Sequence, residues 1–497
     1  MTTLNPNFIL LVHPLGYPAS SAQRDISRIA NIMPPIGLAS IAAYLKTRRQ
    51  ESKIVDCFAY PDSDRLIVEF LKSHRPAFIG LSCTTSSFID GIRIARLAKN
   101  TLPHIQSVFG GPHVSAMKQK LLENFPEMNF GVVGEGEETV AELMEAGGQG
   151  VDPIRGLVYR GASGETRFNG YRPEGLALDS LPFPAYDLLA GFPRSYSLPI
   201  FNYPTTPNTS CISSRGCPYR CSYCDRSVYR RSFRFNSAEY IYEHLSYLKR
   251  RFGIRHINFY DDQFTFDRDR VHAFTHLLID RPLGMTYNCA VRAEHIDLDL
   301  LQQMKASGCW MVSLGIETGD EELLVRHRQN PDLAMLAEKI RLIQKTGIRV
   351  KGLLMMGLPG ETELSIRKSM KYVFSLRLND MNISKFTPFP GSPLYADIQR
   401  HGAFKEDWNR MDCMHFLFVP KGLTIKQLEF FFKFFYRKHF LQARVLWGYI
   451  TMLWRSPDSW RRFLSHLIPF IRFARSNRRI DRAERRLVAE DSGGPSR

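Results

Sequence analysis

Cys217, Cys221 and Cys224 stand at C-x3-C-x2-C spacing, directly after a strand-like run at 209–214. Three thiolates fall one short of the four ligands a structural zinc site wants. They suit a [4Fe-4S] cluster in which three irons are held and the fourth is open, whereas an electron-transfer cluster uses four cysteines. An open iron can take a small-molecule ligand, which turns an electron carrier into a catalyst. Two other readings stay open here: a zinc knuckle, and a cluster with Cys211 as its fourth ligand.

A site of this kind needs elements that hold it, and 497 residues provide for two or three domains. The remaining cysteines are scattered singly in apolar runs, as buried thiols usually are. No disulfide framework is visible, so a reducing, cytoplasmic compartment is expected. The N-terminus lacks the basic region of a signal peptide, and no run reaches the roughly 18 uncharged apolar residues of a membrane span. There is no internal repeat or low-complexity segment.

In the first third, short apolar strands (8–12, 53–56, 78–82, 107–111 and 130–137) alternate with helical stretches such as 36–46, 89–99 and 138–145. This alternation predicts an α/β fold with a doubly wound, Rossmann-like parallel sheet over 1–145. Ligands of such sheets sit at the carboxyl ends of the strands. Those ends carry Ser82 and Thr84, then Gly110, Gly111, Pro112 and His113, then Gly134 and Glu135. Small residues there let a large planar or phosphate-bearing ligand approach the backbone. Residues 146–206, rich in Gly, Pro and Asp, read as a linker docked on both neighbours, with a strand at 154–159. From 207 to 400 the strands 256–260, 285–290, 310–315, 349–356 and 380–386 follow the one before the cysteines. Six strand-helix units predict a partial (βα)6 TIM-type barrel with its chemistry at the carboxyl ends.

The cysteine spacing with an aromatic, Tyr223, before the last cysteine resembles the signature of the radical S-adenosylmethionine (SAM) superfamily. The resemblance implies roles for the strand ends. Asp261 and Asp262 would accept hydrogen bonds from the methionine ammonium of SAM, and Arg292 would pair with its carboxylate. Glu317 would bind the ribose hydroxyls, and Gly357 and Gly360 would let the backbone approach the adenine. The segments D-D-Q-F, G-I-E-T, G-L-P-G-E-T and T-P-F-P-G-S-P-L-Y (387–395) are similar to those of cobalamin-dependent radical SAM enzymes of the anaerobic magnesium-protoporphyrin cyclase type. With G-G-P-H and V-G-E-G-E, the first 145 residues resemble the cobalamin-binding domain in front of such enzymes. The loop after the first strand lacks the D-x-H-x-x-G motif, so His13 is expected to be a loop residue rather than a cobalt ligand. The family implies that a reduced cluster cleaves SAM to a 5′-deoxyadenosyl radical, which takes hydrogen from an unactivated carbon. In the methylating branch that carbon accepts a methyl group from methylcobalamin, remade from a second SAM. In the cyclase branch the substrate radical is oxidised instead. The expected partners are a small-molecule or lipid-linked substrate and an external reductant of flavodoxin or ferredoxin type.

The formal charge of +17 is concentrated at one end: 421–497 holds 17 Lys and Arg against 6 Asp and Glu. Basic residues there interleave with Phe and Trp in a helical C-terminal region, 401–497. Two uses are open, a cap over the barrel (favoured for 425–450) and a helix lying in a membrane interface at the inner surface of the cytoplasmic membrane. Nucleic acid is not the expected partner. An RNA-modifying methylthiotransferase needs a second cluster, and the N-terminal region offers only Cys57 and Cys83. A cobalamin sensor would need no open iron.

Overall fold

The computed structural model describes residues 4–17, 31–173 and 175–468. The N-terminal apolar runs form β1 (Asn5–His13), β2 (Glu51–Asp56), β3 (Pro76–Ser82), β4 (Gln106–Gly110) and β5 (Phe130–Val132). These five are parallel, in the order β2-β1-β3-β4-β5. Both faces are buried, so the strands read as continuous apolar runs rather than alternating ones. One core, around Leu10, Ile79 and Phe88, fills one face. A larger core begins at Ile9 and Leu11 on the other face and runs without a break into the barrel.

The stretch after residue 145 does more than bridge. Its β6 (Leu157–Arg160) and β7 (Thr166–Phe168) add an antiparallel pair to the edge of the first sheet. Further on, Ala185 N donates to Ala39 O at 2.9 Å. The buried Tyr186 hydroxyl lies 3.2 Å from His244 Nε2 of the barrel. Two folded units are thereby fixed against each other by backbone and core contacts.

The barrel strands are β8 (Asn208–Cys211), β11 (His256–Phe259), β12 (Thr286–Val291), β13 (Cys309–Glu317), β14 (Arg349–Met356) and β15 (Asp380–Lys385), all parallel and neighbours in chain order. This is the partial barrel expected. Between β8 and β11 a short antiparallel ribbon, β9 (Ser214–Arg215) with β10 (Arg234–Phe235), closes the neck of the cysteine loop. Four barrel helices begin on Asp N-caps, Asp267, Asp297, Asp320 and Asp332, each accepting a backbone N–H from the first turn. The helix Ala238–Phe252 starts on Ser237 and stops at Gly253, whose φ of +67° suits a left-handed C-cap. Phe259, Phe264, Phe274 and Tyr287 are fully buried against one another. Truncating any of them would cost about 3–5 kcal/mol.

The helix Ile425–Phe440 starts with a Thr424–Gln427 capping box and buries Leu428, Phe431 and Phe435 in the barrel core. It is a cap. Among the described residues no helix is long and apolar enough to cross a membrane.

Candidate active site

Cys217, Cys221 and Cys224 lie on the loop 216–233 and line one cavity of about 510 Å³ at the carboxyl end of the barrel. Around them stand Tyr223, Asp262, Arg292, Glu317 and a cation that sequence reading missed, Arg328. Arg328 follows a helix and belongs to no motif, so only the fold brings it in; its Nη1 donates to Gly315 O beside Glu317. Burial, then Asp262 and the neighbouring thiols, pushes the Cys224 thiol up to about 12, and burial raises Cys217 as well. Among the described residues no three His, Cys, Asp or Glu side chains converge as ligands of a single metal ion. A cluster asks for something else, one thiolate per iron. Three thiols on one loop facing one cavity fit that demand.

Cys211 is not a fourth ligand here. It is buried below the loop with Sγ 3.5 Å from His244 Nδ1, and it lines neither this cavity nor the next.

Several neighbours hold the loop rather than the ligand. Ser222 Oγ lies 2.8 Å from His327 Nδ1, and His327 Nε2 lies 2.8 Å from Pro359 O. Leu394 N donates to Ser222 O at 3.2 Å. A Cβ added at Gly391 would sit 1.9 Å from Asp225 Oδ1, so the P-G-S-P turn packs directly on the end of the cysteine motif. Asp261 belongs to this bracing. It accepts from Ser213 N at 2.6 Å and from the hydroxyls of Ser213 and Ser214 at 2.6 and 2.8 Å, with Arg270 at 3.9 Å. It faces neither cavity, which corrects its reading as an acceptor for SAM. Burial outweighs these partners and raises its carboxyl above the usual range. The neighbouring Asp262 does face the cavity, raised by burial and then by Asp261.

Gly357 and Gly360 stand outside the lining of the cysteine cavity. The Gly357 amide donates to Glu361, and a Cβ on Gly360 would meet Arg326 Nη1 at 2.9 Å. Arg292 faces the cavity while already bound to Glu294, its Nε 2.6 Å from Oε1, with the guanidinium 3.6 Å over the Tyr219 ring. Glu317 sits at φ +61°, in the left-handed region that an L side chain adopts at a cost. Burial raises its carboxyl, against Arg328 and a hydrogen bond from Tyr223.

A second cavity, about 410 Å³, opens where the first sheet's strands end against the barrel. Ser82, Gly110, Gly111, Pro112, Gly134 and Glu135 line it. A Cβ on Gly37, also in the lining, would meet nothing within 4 Å, and one on Gly110 nothing nearer than 3.8 Å. Here an absent side chain leaves room for a ligand. Gly111 is different: its φ is +98° and a Cβ would strike Cys83 O at 2.6 Å, so glycine is demanded by the sheet itself. His113 is fully buried against Phe88 and Trp408 and lines neither of the two cavities, and Thr84 faces the cysteine cavity instead. The one histidine in this lining, His244, has both ring nitrogens engaged by Cys211 and Tyr186. His13 is held at 2.9 Å by Asp56. The lining thus offers space and backbone to a flat ligand but no free imidazole.

Models of two families match the chain. The B12 binding domain covers residues 25–144, and the radical SAM superfamily covers 211–373. The chain is a radical SAM enzyme with a B12-binding domain in front. Its cofactors are a [4Fe-4S] cluster, SAM and cobalamin, and the residues present fit them: three thiols for three irons, and a glycine-lined cleft at the sheet's carboxyl edge. The radical SAM enzyme is 28% identical over 444 residues to the uncharacterized methyltransferase PH0819 of Pyrococcus horikoshii, covering 88% of this chain and 93% of that one. It is 25% identical over 398 residues to the anaerobic magnesium-protoporphyrin IX monomethyl ester cyclase of Rubrivivax gelatinosus, covering 78% and 70%. Among solved structures, the radical SAM methyltransferase TsrM of Kitasatospora setae, with cobalamin and a [4Fe-4S] cluster bound, superposes with a TM-score of 0.64. That match spans 79% of this chain and 75% of that one at 18% identity, and shows a common fold.

Proposed function

We propose that this enzyme transfers a methyl group to an unactivated carbon of a small or lipid-linked metabolite. The observation that carries the reading is the wall between the two cavities. Pro112, Val228 and Tyr229 line both, so the B12 cleft and the cysteine cavity abut across three side chains. When bound, the cluster with SAM supplies the radical that removes hydrogen, and cobalamin supplies the methyl group. The chain's own residues hold and shield. Cys217, Cys221 and Cys224 hold the iron. Asp262 and Glu317 offer acceptors, Arg292 and Arg328 offer cations, and Tyr223 closes the loop side of the cavity. Ser82, Gly110 and Gly134 leave the cleft open to a flat ring system. An external reductant of flavodoxin or ferredoxin type completes the proposal, because the sequence has only one spaced cysteine triad.

The cyclase relative favours a second reading, ring-forming oxidation without methyl transfer. The two branches differ in what becomes of SAM. Methyl transfer consumes two molecules and gives S-adenosylhomocysteine as well as 5′-deoxyadenosine; the cyclase branch gives only the latter. Anaerobically reconstituted enzyme with cobalamin and reductant is expected to form S-adenosylhomocysteine, to about one equivalent per chain without substrate. Cleavage to 5′-deoxyadenosine with no S-adenosylhomocysteine would decide for the cyclase. Cys217→Ala, Cys221→Ala or Cys224→Ala should abolish 5′-deoxyadenosine, and Cys211→Ala should spare it.

A membrane surface as the place of work is part of the same proposal. Leu446, Trp447, Ile450, Leu453 and Trp454 recur at helical spacing and are all exposed, Trp447 at 62% and Trp454 at 64%. On the opposite side Val445 and Met452 are buried. Exposed Arg437, Lys438, Arg455 and Arg461 lie nearby in the chain. Each cation at an anionic surface is worth about 1 kcal/mol, and the tryptophans suit an interface. The aromatic-basic run from 469 onward lies outside the described residues. Full-length enzyme should bind phosphatidylglycerol vesicles and be released by salt, and Trp447→Gln with Trp454→Gln should weaken that binding about tenfold. Failure of the full-length enzyme to bind at low salt would dismiss the membrane.

A further inference from the structure

The V-G-E-G-E segment lines the B12 cleft, yet its two glutamates spend their carboxylates on the neck of the cysteine loop. Arg215 and Arg234 are directly paired across the β9–β10 ribbon and are the last residues before the loop on one side and after it on the other. Glu135 accepts from both, from Arg215 Nη1 through Oε2 and from Arg234 Nη2 through Oε1. Glu137 takes the other nitrogen of Arg215 at 2.7 Å and also accepts from Ser40 Oγ at 2.8 Å. Burial pushes the Glu137 carboxyl up, but Arg215 wins and holds it below the ordinary value. One carboxylate of the first domain therefore clasps both stems of the loop that carries Cys217, Cys221, Cys224 and the shared wall. A further contact points the same way: Ser227 Oγ donates to Pro112 O at 3.1 Å.

We infer that Glu135 is a positioning residue that couples the two cofactor sites. It faces the B12 cleft on one side and fixes the register of the cysteine loop on the other. Occupation of the cleft then sets the loop in the geometry that binds SAM. Each Glu135 oxygen takes one arginine, and each guanidinium uses its second nitrogen elsewhere, Arg215 on Glu137 and Arg234 on Leu176 O, so the fork of donors lets a single carboxylate bridge the two stems. The coupling must be reciprocal: cobalamin raises the affinity for SAM by the same factor as SAM raises that for cobalamin. This inference rests on the assignment of the two cavities to cobalamin and to the cluster with SAM.

The test uses the anaerobically reconstituted full chain and equilibrium dialysis of labelled SAM, with and without saturating hydroxocobalamin. The wild-type factor is expected to be about fivefold or more. Glu135→Gln, nearly isosteric, should keep its iron content, while the factor falls to within about twofold of unity. Arg234→Lys, which keeps the charge and loses the fork, should give an intermediate factor. Retention of the wild-type factor in Glu135→Gln would overturn the inference and leave coupling to the wall of Pro112, Val228 and Tyr229. A wild-type chain that binds both ligands without coupling overturns it while the cavities stand. A wild-type chain that binds no cobalamin overturns both.

Discussion

Two cavities meet at Pro112, Val228 and Tyr229, and they are built by different means. The barrel cavity is walled by charged side chains that face inward, Asp262, Arg292 and Glu317 from strand ends and Arg328 from the end of a helix. The B12 cleft is lined mainly by glycines and apolar side chains, and its acidic residues Glu135 and Glu137 turn away to grip arginines of the other domain. A ligand with charged ends needs charged side chains to orient it. A large flat ligand needs room and backbone, and charges beside it are free to hold the domains together. A residue at the end of a strand thus has a place dictated by the fold, while its task depends on what already occupies its hydrogen bonds.

The sharpest way to break this comparison is the adjacent pair Asp261 and Asp262. Asp261→Ala removes the carboxylate 3.9 Å from Arg270, whose side chain is 2% exposed and keeps only neutral acceptors, and takes the acceptor from two serine hydroxyls. Breaking a buried pair costs about 3–5 kcal/mol. Chemical denaturation should show that loss in protein without any SAM. Asp262→Ala should leave the denaturation curve in place and weaken SAM binding about tenfold or more, the worth of one charge-assisted hydrogen bond. Equal stability losses from both would mean that Asp262 is a brace too.

A smaller contrast lies between Gly110 and Gly111. Gly111→Ala forces a side chain into a backbone conformation, φ +98° and ψ −176°, that is nearly reserved for glycine. It should cost about 1–3 kcal/mol of stability, with cobalamin binding falling only as the domain unfolds. Gly110→Leu, whose Cβ would make only ordinary contact with Val132 at 3.8 Å, should reduce cobalamin affinity about tenfold at unchanged stability, read by titration of hydroxocobalamin absorbance. If the two variants exchange phenotypes, the cleft is not where the glycines place it.

The architecture was legible because its signals are local. Apolar runs such as Ile9–Leu11–Val12 and Met311–Val312–Leu314 announce buried parallel strands, and C-x3-C-x2-C announces an open-iron cluster. Tasks were less legible. Asp261 and Asp262 are neighbours of one type, and only the serines across the sheet separate brace from lining. His113 looked like part of a ligand-facing turn, but it is buried under Trp408, nearly 300 residues away in sequence. Arg328 has no motif at all; a helix that ends one residue earlier delivers it. The edge hairpin of β6 and β7 escaped because only one of its strands carries an apolar run. The first two depend on contacts distant in the chain, which periodicity and spacing do not encode.

The last contrast concerns a buried carboxyl that faces neither cavity. Glu361, in G-L-P-G-E-T, is 2% exposed and accepts from the Gly357 amide. Burial pushes its carboxyl up to about 8, against those backbone donors, with Asp320 adding to the rise. The folded chain therefore keeps Glu361 protonated at neutral pH, while the unfolded chain ionises it near the ordinary 4.5. A pKa raised on folding means that the folded state binds the extra proton between those two values. Stability contributed by this group is full below about pH 4.5 and is lost progressively as pH rises toward 8, by up to about 1.4 kcal/mol per pH unit. Glu361→Gln keeps an acceptor for the Gly357 amide and cannot ionise. Urea midpoints at pH 5, 6.5 and 8 should show the variant gaining on the wild type at each step upward. The gain should come without a change in SAM or cobalamin affinity, because the side chain touches neither site. Parallel curves would place the ionised carboxylate in the folded state, held by those backbone amides alone. Loss of SAM binding in this variant would instead return the G-L-P-G-E-T turn to the ligand, as the sequence first suggested for Gly357 and Gly360.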